Sequence, residues 1–155
     1  MKITSVLENK NIEKRIAITP DVAKKYINLN FEVSLPENYG KHLGFKDNEY
    51  SDLGVKISNN EKEVLSSSDI IVQLGLPSEE KISLLKEKQT LIGVFNPYDN
   101  KKKIKDLVKN KINIFSLDLL PRITRAQSMD ILSSQANLAG YKAVIESFAN
   151  FERAI

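Results

Sequence analysis

Cysteine is absent from this 155-residue sequence, which excludes disulfides, thiol chemistry and cysteine-ligated metal centres and fits a reducing compartment. Tryptophan is absent too, and no stretch interleaves aromatic with basic residues, so nothing in the chain reads as a nucleic-acid surface. Histidine occurs once. His42 cannot build a histidine metal cluster by itself, and within Tyr39-Gly40-Lys41-His42-Leu43-Gly44 it reads as a loop residue. The six glycines, at 40, 44, 54, 75, 93 and 140, contain no G-x-G pair, so the dinucleotide fingerprint is missing. Long apolar runs are missing as well: the stretch from Ile131 to Tyr141 is too short and too polar to span a bilayer, and no direct membrane insertion by this segment is expected. Met1-Lys2-Ile3-Thr4, with Glu8 close behind, does not read as a signal peptide.

What remains is ordinary globular material. Hydrophobic residues make up 41% and charged residues 28%, enough for one compact domain with a core, or one domain plus a protruding element. The net charge of +3 comes mainly from dispersed lysines. The densest run, Lys101-Lys102-Lys103-Ile104-Lys105, reads as a solvated helix face in preference to a docking site for an anionic surface.

Short β-branched runs alternate with amphipathic stretches, which predicts an α/β fold with an open, mostly parallel sheet of five or six strands flanked by helices, flavodoxin-like or Rossmann-like. The expected strands are Lys2–Leu7, Phe31–Leu35, Val55–Ile57, Asp69–Leu74, Thr90–Phe95 and Ile112–Leu117. Runs such as Ile70-Ile71-Val72 are apolar on both faces, as strands covered from both sides require. Thr19-Pro20-Asp21 signals a helix start, with a capping hydroxyl and a proline in the first turn. Short helices are expected over Asp47–Leu53 and Asn60–Leu65, another after Ser78, and one over Lys101–Asn110 capped by Asp99 or Asn100.

From about Ala126 to Ile155 there is no proline and only one glycine, Gly140. This predicts a division into an N-terminal α/β domain, 1–125, and a long connecting helix, 126–155, that leads towards a further domain and carries no C-cap signal before the sequence stops. Placed on one helix, Gln127, Asp130, Ser133, Ser134, Asn137 and Tyr141 share an arc of roughly 120° without an aliphatic side chain. Arg122 and Arg125 lie just ahead of it. Amide, carboxylate, hydroxyl and phenol groups side by side suit a polyol or amide ligand, with arginine able to pair with Asp130 or a phosphate. A polar surface face is the alternative, but on so lysine-rich a chain it should carry Lys and Glu, and this arc carries neither.

The run Pro121-Arg122-Ile123-Thr124-Arg125-Ala126-Gln127-Ser128-Met129-Asp130, continuing into Leu132-Ser133-Ser134-Gln135-Ala136-Asn137-Leu138-Ala139-Gly140-Tyr141, closely resembles the loop-and-helix signature of proton-translocating NAD(P) transhydrogenase α subunits. Glu13-Lys14-Arg15-Ile16-Ala17-Ile18-Thr19-Pro20 is similar to the opening motif that this family shares with alanine dehydrogenase, and Gly44-Phe45-Lys46-Asp47-Asn48-Glu49-Tyr50 resembles the family's loop before its short helix. The resemblance implies part of an NAD(H)-binding component that passes hydride to NADP(H) on a partner domain, coupled to proton movement through a membrane domain. It also implies a homodimer, held at the cytoplasmic face of a bacterial inner membrane by the rest of the complex. By the same resemblance Arg122, Gln127, Asp130 and Ser133 line the nicotinamide and its ribose, with Tyr141 nearby. These are cofactor-positioning roles, and no residue is assigned as catalytic.

Two departures separate the chain from alanine dehydrogenases. The lysine expected after the fourth strand is Gly75, and the catalytic-type histidine after the fifth is Asn96. Without an acid/base pair, oxidation of an amino acid has no proton acceptor. Arg15 then loses its carboxylate-binding partners and takes a structural role. An alanine-dehydrogenase-like domain and a non-catalytic, flavodoxin-like binding or assembly module remain the alternatives.

Overall fold

The computed structural model describes residues 1–153. All six expected strands form, as β1 (Lys2–Thr4), β2 (Glu32–Pro36), β3 (Lys56–Ser58), β4 (Ile70–Val72), β5 (Thr90–Gly93) and β6 (Asn113–Ser116). Every pairing is parallel, in the order β3-β2-β1-β4-β5-β6. This is the Rossmann-like, doubly wound arrangement. Strand order reverses between β1 and β4, and a crevice opens at the carboxyl ends of strands at such a switch point.

Side chains alternate across the sheet and feed two apolar clusters. Ile71 packs with Val6, Leu65, Leu91, Phe95, Leu107 and Ile112, while its neighbours Ile70 and Val72 pack against Ile3, Ile18, Val33 and Leu35. The pleat sends successive residues to opposite faces, so the run Ile70-Ile71-Val72 has to be apolar throughout.

The helices are α1 (Pro20–Asn28), α2 (Asp47–Ser51), α3 (Glu61–Ser67), α4 (Glu79–Ile82), α5 (Lys101–Lys109) and α6 (Ile131–Ala149). The Thr19 hydroxyl accepts from Val22 N at 3.4 Å and Pro20 opens α1, as its sequence predicts. Asn60 and Ser78 cap α3 and α4 in the same way. Asn100 precedes α5 but does not cap it with its side chain: its Nδ2 donates to Phe95 O at 2.8 Å, tying the helix start to the end of β5.

A buried polar chain crosses the core beside β1. Tyr39 Oη donates to Ser5 Oγ at 2.7 Å and accepts from Ala17 N and Ile18 N, while Ser5 Oγ donates to Gln73 Oε1 at 2.7 Å. Tyr50 Oη donates to Ile18 O at 3.0 Å, and the two tyrosine rings meet edge to face. Burial pushes both phenols above their ordinary pKa, so each stays protonated and able to donate.

The chain folds as two compact units, Met1–Ser116 and Leu117–Ile155. The second contains two 3-10 turns, Leu117–Leu119 and Thr124–Met129, and then α6. Here the structure departs from the single helix expected from Ala126 onwards. Asp130 adopts an extended backbone (φ −74°, ψ 92°), α6 starts only at Ile131, and it ends at Ala149 with Asn150 as C-cap. The expected continuation through 154 and 155 lies outside the described residues. The physical cause of the break is the carboxylate of Asp130, which competes for the first free amides of the helix.

Helix α6 carries exposed apolar side chains around its circumference, among them Leu132, Leu138, Val144, Ile145 and Phe148. Exposed apolar side chains in this number on one helix are stable in water only when something covers them. In solution the 155-residue chain is expected to self-associate as concentration rises, seen as an increasing mass by light scattering. A strict monomer with α6 fully helical by circular dichroism contradicts this.

Candidate functional site

The residues singled out from the sequence fall in the second unit. After β6 the chain turns through Leu117–Leu119, and Pro121 starts a tight turn closed by Ile123 N to Pro121 O at 2.9 Å. Ala126 N then donates to Ile123 O at 2.9 Å, winding the 3-10 turn that ends at Met129. A turn this tight brings Arg122 and Gln127 to the same side as the start of α6. Together Arg122, Gln127, Asp130 and Ser133 line an open cavity of about 330 Å³. Pro121, Ile123, Thr124 and Ala126 complete it, and Ala126 is buried.

Asp130 is the pivot. Its Oδ1 accepts from Ser133 N at 3.0 Å and its Oδ2 from Ser133 Oγ at 2.7 Å. These two hydrogen bonds hold its carboxyl below the usual carboxylate range, with smaller help from the Leu132 amide and the charge of Arg122. The carboxylate is thus ionised and fixed in direction, with a guanidinium near it. Such a cavity offers a charged donor, an amide, an ionised acceptor and a hydroxyl beside the apolar surfaces of Ile123 and Ala126.

The four residues expected to line the nicotinamide and its ribose come together in one cavity, and Tyr141, expected nearby, does not line it. It sits eight residues beyond Ser133 on α6, roughly 12 Å along the axis at the helical rise, and it is exposed, away from the cavity. Gln127 reaches the cavity from the 3-10 turn and not from a shared helix face. The sequence signal for that break was present: an Asp immediately before the apolar Ile131-Leu132, at the start of a helical pattern, marks a candidate N-cap. Ile123 and Ala126 were missed as lining residues, because periodicity carries no information about a 3-10 turn.

In the first unit, the positions that differ from alanine dehydrogenases have local partners. Gly75 follows β4 and its amide donates to Glu8 Oε1 at 3.2 Å. Asn96 has a left-handed backbone (φ 44°), and its side chain donates to Asp99. Arg15 forms a forked pair with Glu13, through Nε at 2.8 Å and Nη2 at 2.6 Å. That pair holds the Glu13 carboxyl below its ordinary pKa.

The sequence model of the alanine dehydrogenase/PNT N-terminal domain matches residues 6–139. The first part of NAD(P) transhydrogenase subunit alpha from Rickettsia prowazekii is 38% identical over 158 aligned positions, covering 99% of this chain and 41% of that protein. The crystal structure of transhydrogenase from Sinorhizobium meliloti superposes with a TM-score of 0.91 at 34% identity, covering 99% of this chain and 46% of that one. Alanine dehydrogenase of Methanococcus maripaludis is more distant, 26% identical over 88% of this chain and 36% of that protein. The chain spans less than half the length of each of these relatives. It belongs to the alanine dehydrogenase/PNT N-terminal domain family.

Proposed function

We propose that this chain is the N-terminal part of the NAD(H)-binding component of a proton-translocating NAD(P) transhydrogenase, and that the cavity at Arg122, Gln127, Asp130 and Ser133 receives the nicotinamide end of the dinucleotide. Membership of the family supports an oxidoreductase role that involves a pyridine nucleotide. The observation that carries the finer reading is the cavity itself: a guanidinium, a fixed carboxylate, an amide and a hydroxyl converge on a space of about 330 Å³. That space is large enough for an amide-bearing ring and part of a sugar.

The donor set fits such a group. Gln127 would bond the ribose hydroxyls, Arg122 and Asp130 would orient the carboxamide end, and Ser133 would keep Asp130 aimed through the hydrogen bonds it already makes. The bound nucleotide supplies the hydride chemistry. The contribution of these side chains is placement.

On this reading the parent protein divides at about 125 into an α/β domain and a connecting helix that leads to a Rossmann domain holding the adenosine and pyrophosphate. Hydride is exchanged with NADP(H) on a partner domain, coupled to proton movement through a membrane domain, with the component working as a homodimer at the cytoplasmic face. Among the described residues no helix is long and apolar enough to cross a membrane, so the membrane part is assigned to other segments. An alanine-dehydrogenase activity is disfavoured, because neither Gly75 nor Asn96 offers an acid or a base.

Calorimetric titration with NADH separates these readings. The 155-residue chain is expected to bind NADH weakly or not at all, since no G-x-G turn is available to the pyrophosphate, whereas the full-length parent binds it tightly. Micromolar affinity in the 155-residue chain overturns the assignment of most binding energy to the Rossmann domain. Alanine oxidation by the parent overturns the transhydrogenase reading.

A further inference from the structure

A second cavity, of about 490 Å³, opens in the first unit beside the ends of β1 and β4, where strand order reverses. Its polar lining is unusual in one respect. Gln73 is 2% exposed, and its Oε1 accepts from both Ser5 Oγ at 2.7 Å and Val6 N at 2.9 Å. A backbone N–H can only donate, so this contact settles which end of the amide is oxygen. The other end, Nε2, has no hydrogen-bond partner among the described residues. No fully buried side-chain nitrogen or oxygen there goes unpartnered, so Nε2 has to reach the open cavity that Gln73 lines.

Beside it lies Glu8. Its Oε1 accepts from Leu74 N at 2.6 Å and Gly75 N at 3.2 Å. Its Oε2 makes no hydrogen bond among the described residues and lies 3.7 Å from where a Cβ on Gly75 would stand, over the bare glycine. The cations around the cavity already have partners: Lys81 pairs with Glu61 at 3.0 Å and donates to Leu7 O, and Lys103 pairs with Glu79. The cavity is also lined by Asn9, Glu13, Ser78 and Asn100; within it Gln73 Nε2 is a donor and Glu8 Oε2 an acceptor without a hydrogen-bond partner among the described residues, beside the apolar surfaces of Leu7, Leu76 and Pro77.

We propose that this cavity is a binding site for a neutral primary carboxamide carried on an apolar body, with Gln73 Nε2 donating to the amide oxygen and Glu8 Oε2 accepting from the amide nitrogen. A primary amide presents an acceptor and a donor side by side in a fixed plane, the complement of these two atoms. A carboxylate of the same shape satisfies Gln73 but places its second oxygen against Glu8, where both are acceptors and both are negative. The site discriminates by charge, and an unfilled donor held in place by two hydrogen bonds on its own oxygen waits without reorganisation. This inference concerns a different cavity from the proposed nicotinamide site and does not rest on that reading.

Benzamide and benzoate, which differ only in this group, are the probes. In heteronuclear NMR titrations of the 155-residue chain, benzamide is expected to shift the Gln73 side-chain NH₂ and the backbone amides of Leu74 and Gly75 saturably, with benzoate at least tenfold weaker. Glu8→Gln keeps an oxygen for the Leu74 and Gly75 amides but turns the free acceptor into a donor. It should reverse the preference, weakening benzamide about tenfold and strengthening benzoate. Equal binding of the two probes to the wild type, no saturable shift at Gln73, or an unchanged preference in Glu8→Gln overturns the proposal. Shifts confined to residues 121–133 do so as well, while leaving the proposed nicotinamide site standing.

Discussion

Asp130→Asn and Arg122→Ala in the full-length parent are each expected to slow hydride transfer roughly tenfold to a hundredfold while leaving the NADH dissociation constant within about threefold. The reason lies in where binding energy resides. On the proposed function, the adenosine and pyrophosphate are held by the Rossmann domain, and the cavity in this chain touches only the reactive end. Misplacement there costs rate before it costs affinity, because the reacting carbons have to approach to about 3–3.5 Å.

The local structure makes Asp130→Asn an informative substitution. Asparagine is as good an N-cap as aspartate, so the bond to Ser133 N and the start of α6 survive. What disappears is the negative charge near Arg122. Gln127→Ala should have a smaller effect, since a neutral amide contact is weaker than a charge-assisted one. Stopped-flow transfer rates at saturating nucleotide, alongside equilibrium dissociation constants, decide the matter. Variants that lose affinity at an unchanged transfer rate show these residues to be anchors and not positioners.

Gly93→Ala is expected to destabilise the first unit by roughly 3 kcal/mol or more. A Cβ at this position would stand 2.2 Å from Gln73 O and 2.6–2.7 Å from the Phe95 ring. Neither neighbour can yield cheaply. Gln73 O belongs to the backbone directly after β4, beside a ladder bond from Gln73 N to Ile92 O at 2.9 Å, and Phe95 is fully buried in the apolar cluster around Ile71. Relief requires β4 and β5 to separate at their carboxyl ends. Gly75→Ala is the control, because its Cβ would meet only Glu8 Oε2, at 3.7 Å. Urea unfolding midpoints compare the two, and a loss below about 1 kcal/mol for Gly93→Ala at unchanged slope contradicts the steric account.

Glycine at 93 illustrates what could and could not be read beforehand. In the sequence it is one glycine inside a β-branched run, and nothing beside it tells whether the run tolerates a larger residue. The answer depends on Gln73, twenty positions earlier, which becomes a neighbour only through β4–β5 pairing. Thr19-Pro20, in contrast, announces a helix start from two adjacent residues, and the structure places α1 there. The polar arc from Gln127 to Tyr141 lies between these cases. Its residue types pointed to a ligand-facing surface, and four of its named members or neighbours do share one cavity. The assumption of one continuous helix was wrong, because the Asp130 carboxylate takes the first amides of α6 and leaves Gln127 on a 3-10 turn.

By itself the sequence determined the class of fold, where the strands lie, the start of α1 and the segment that carries the polar cavity. All of these follow from side chains within a few residues of each other, where periodicity, capping and β-branching act on the local backbone. Tertiary structure alone decided the strand order, the burial of Tyr39 and Tyr50 against the Glu13–Pro20 segment, and the meeting of Glu8 with Gln73. Val6 and Gln73 are 67 positions apart and come together only because β1 and β4 are adjacent at the switch point. Such contacts are chosen by which apolar faces can be covered at once across the whole sheet, and a global condition of that kind leaves no mark in any short stretch of chain.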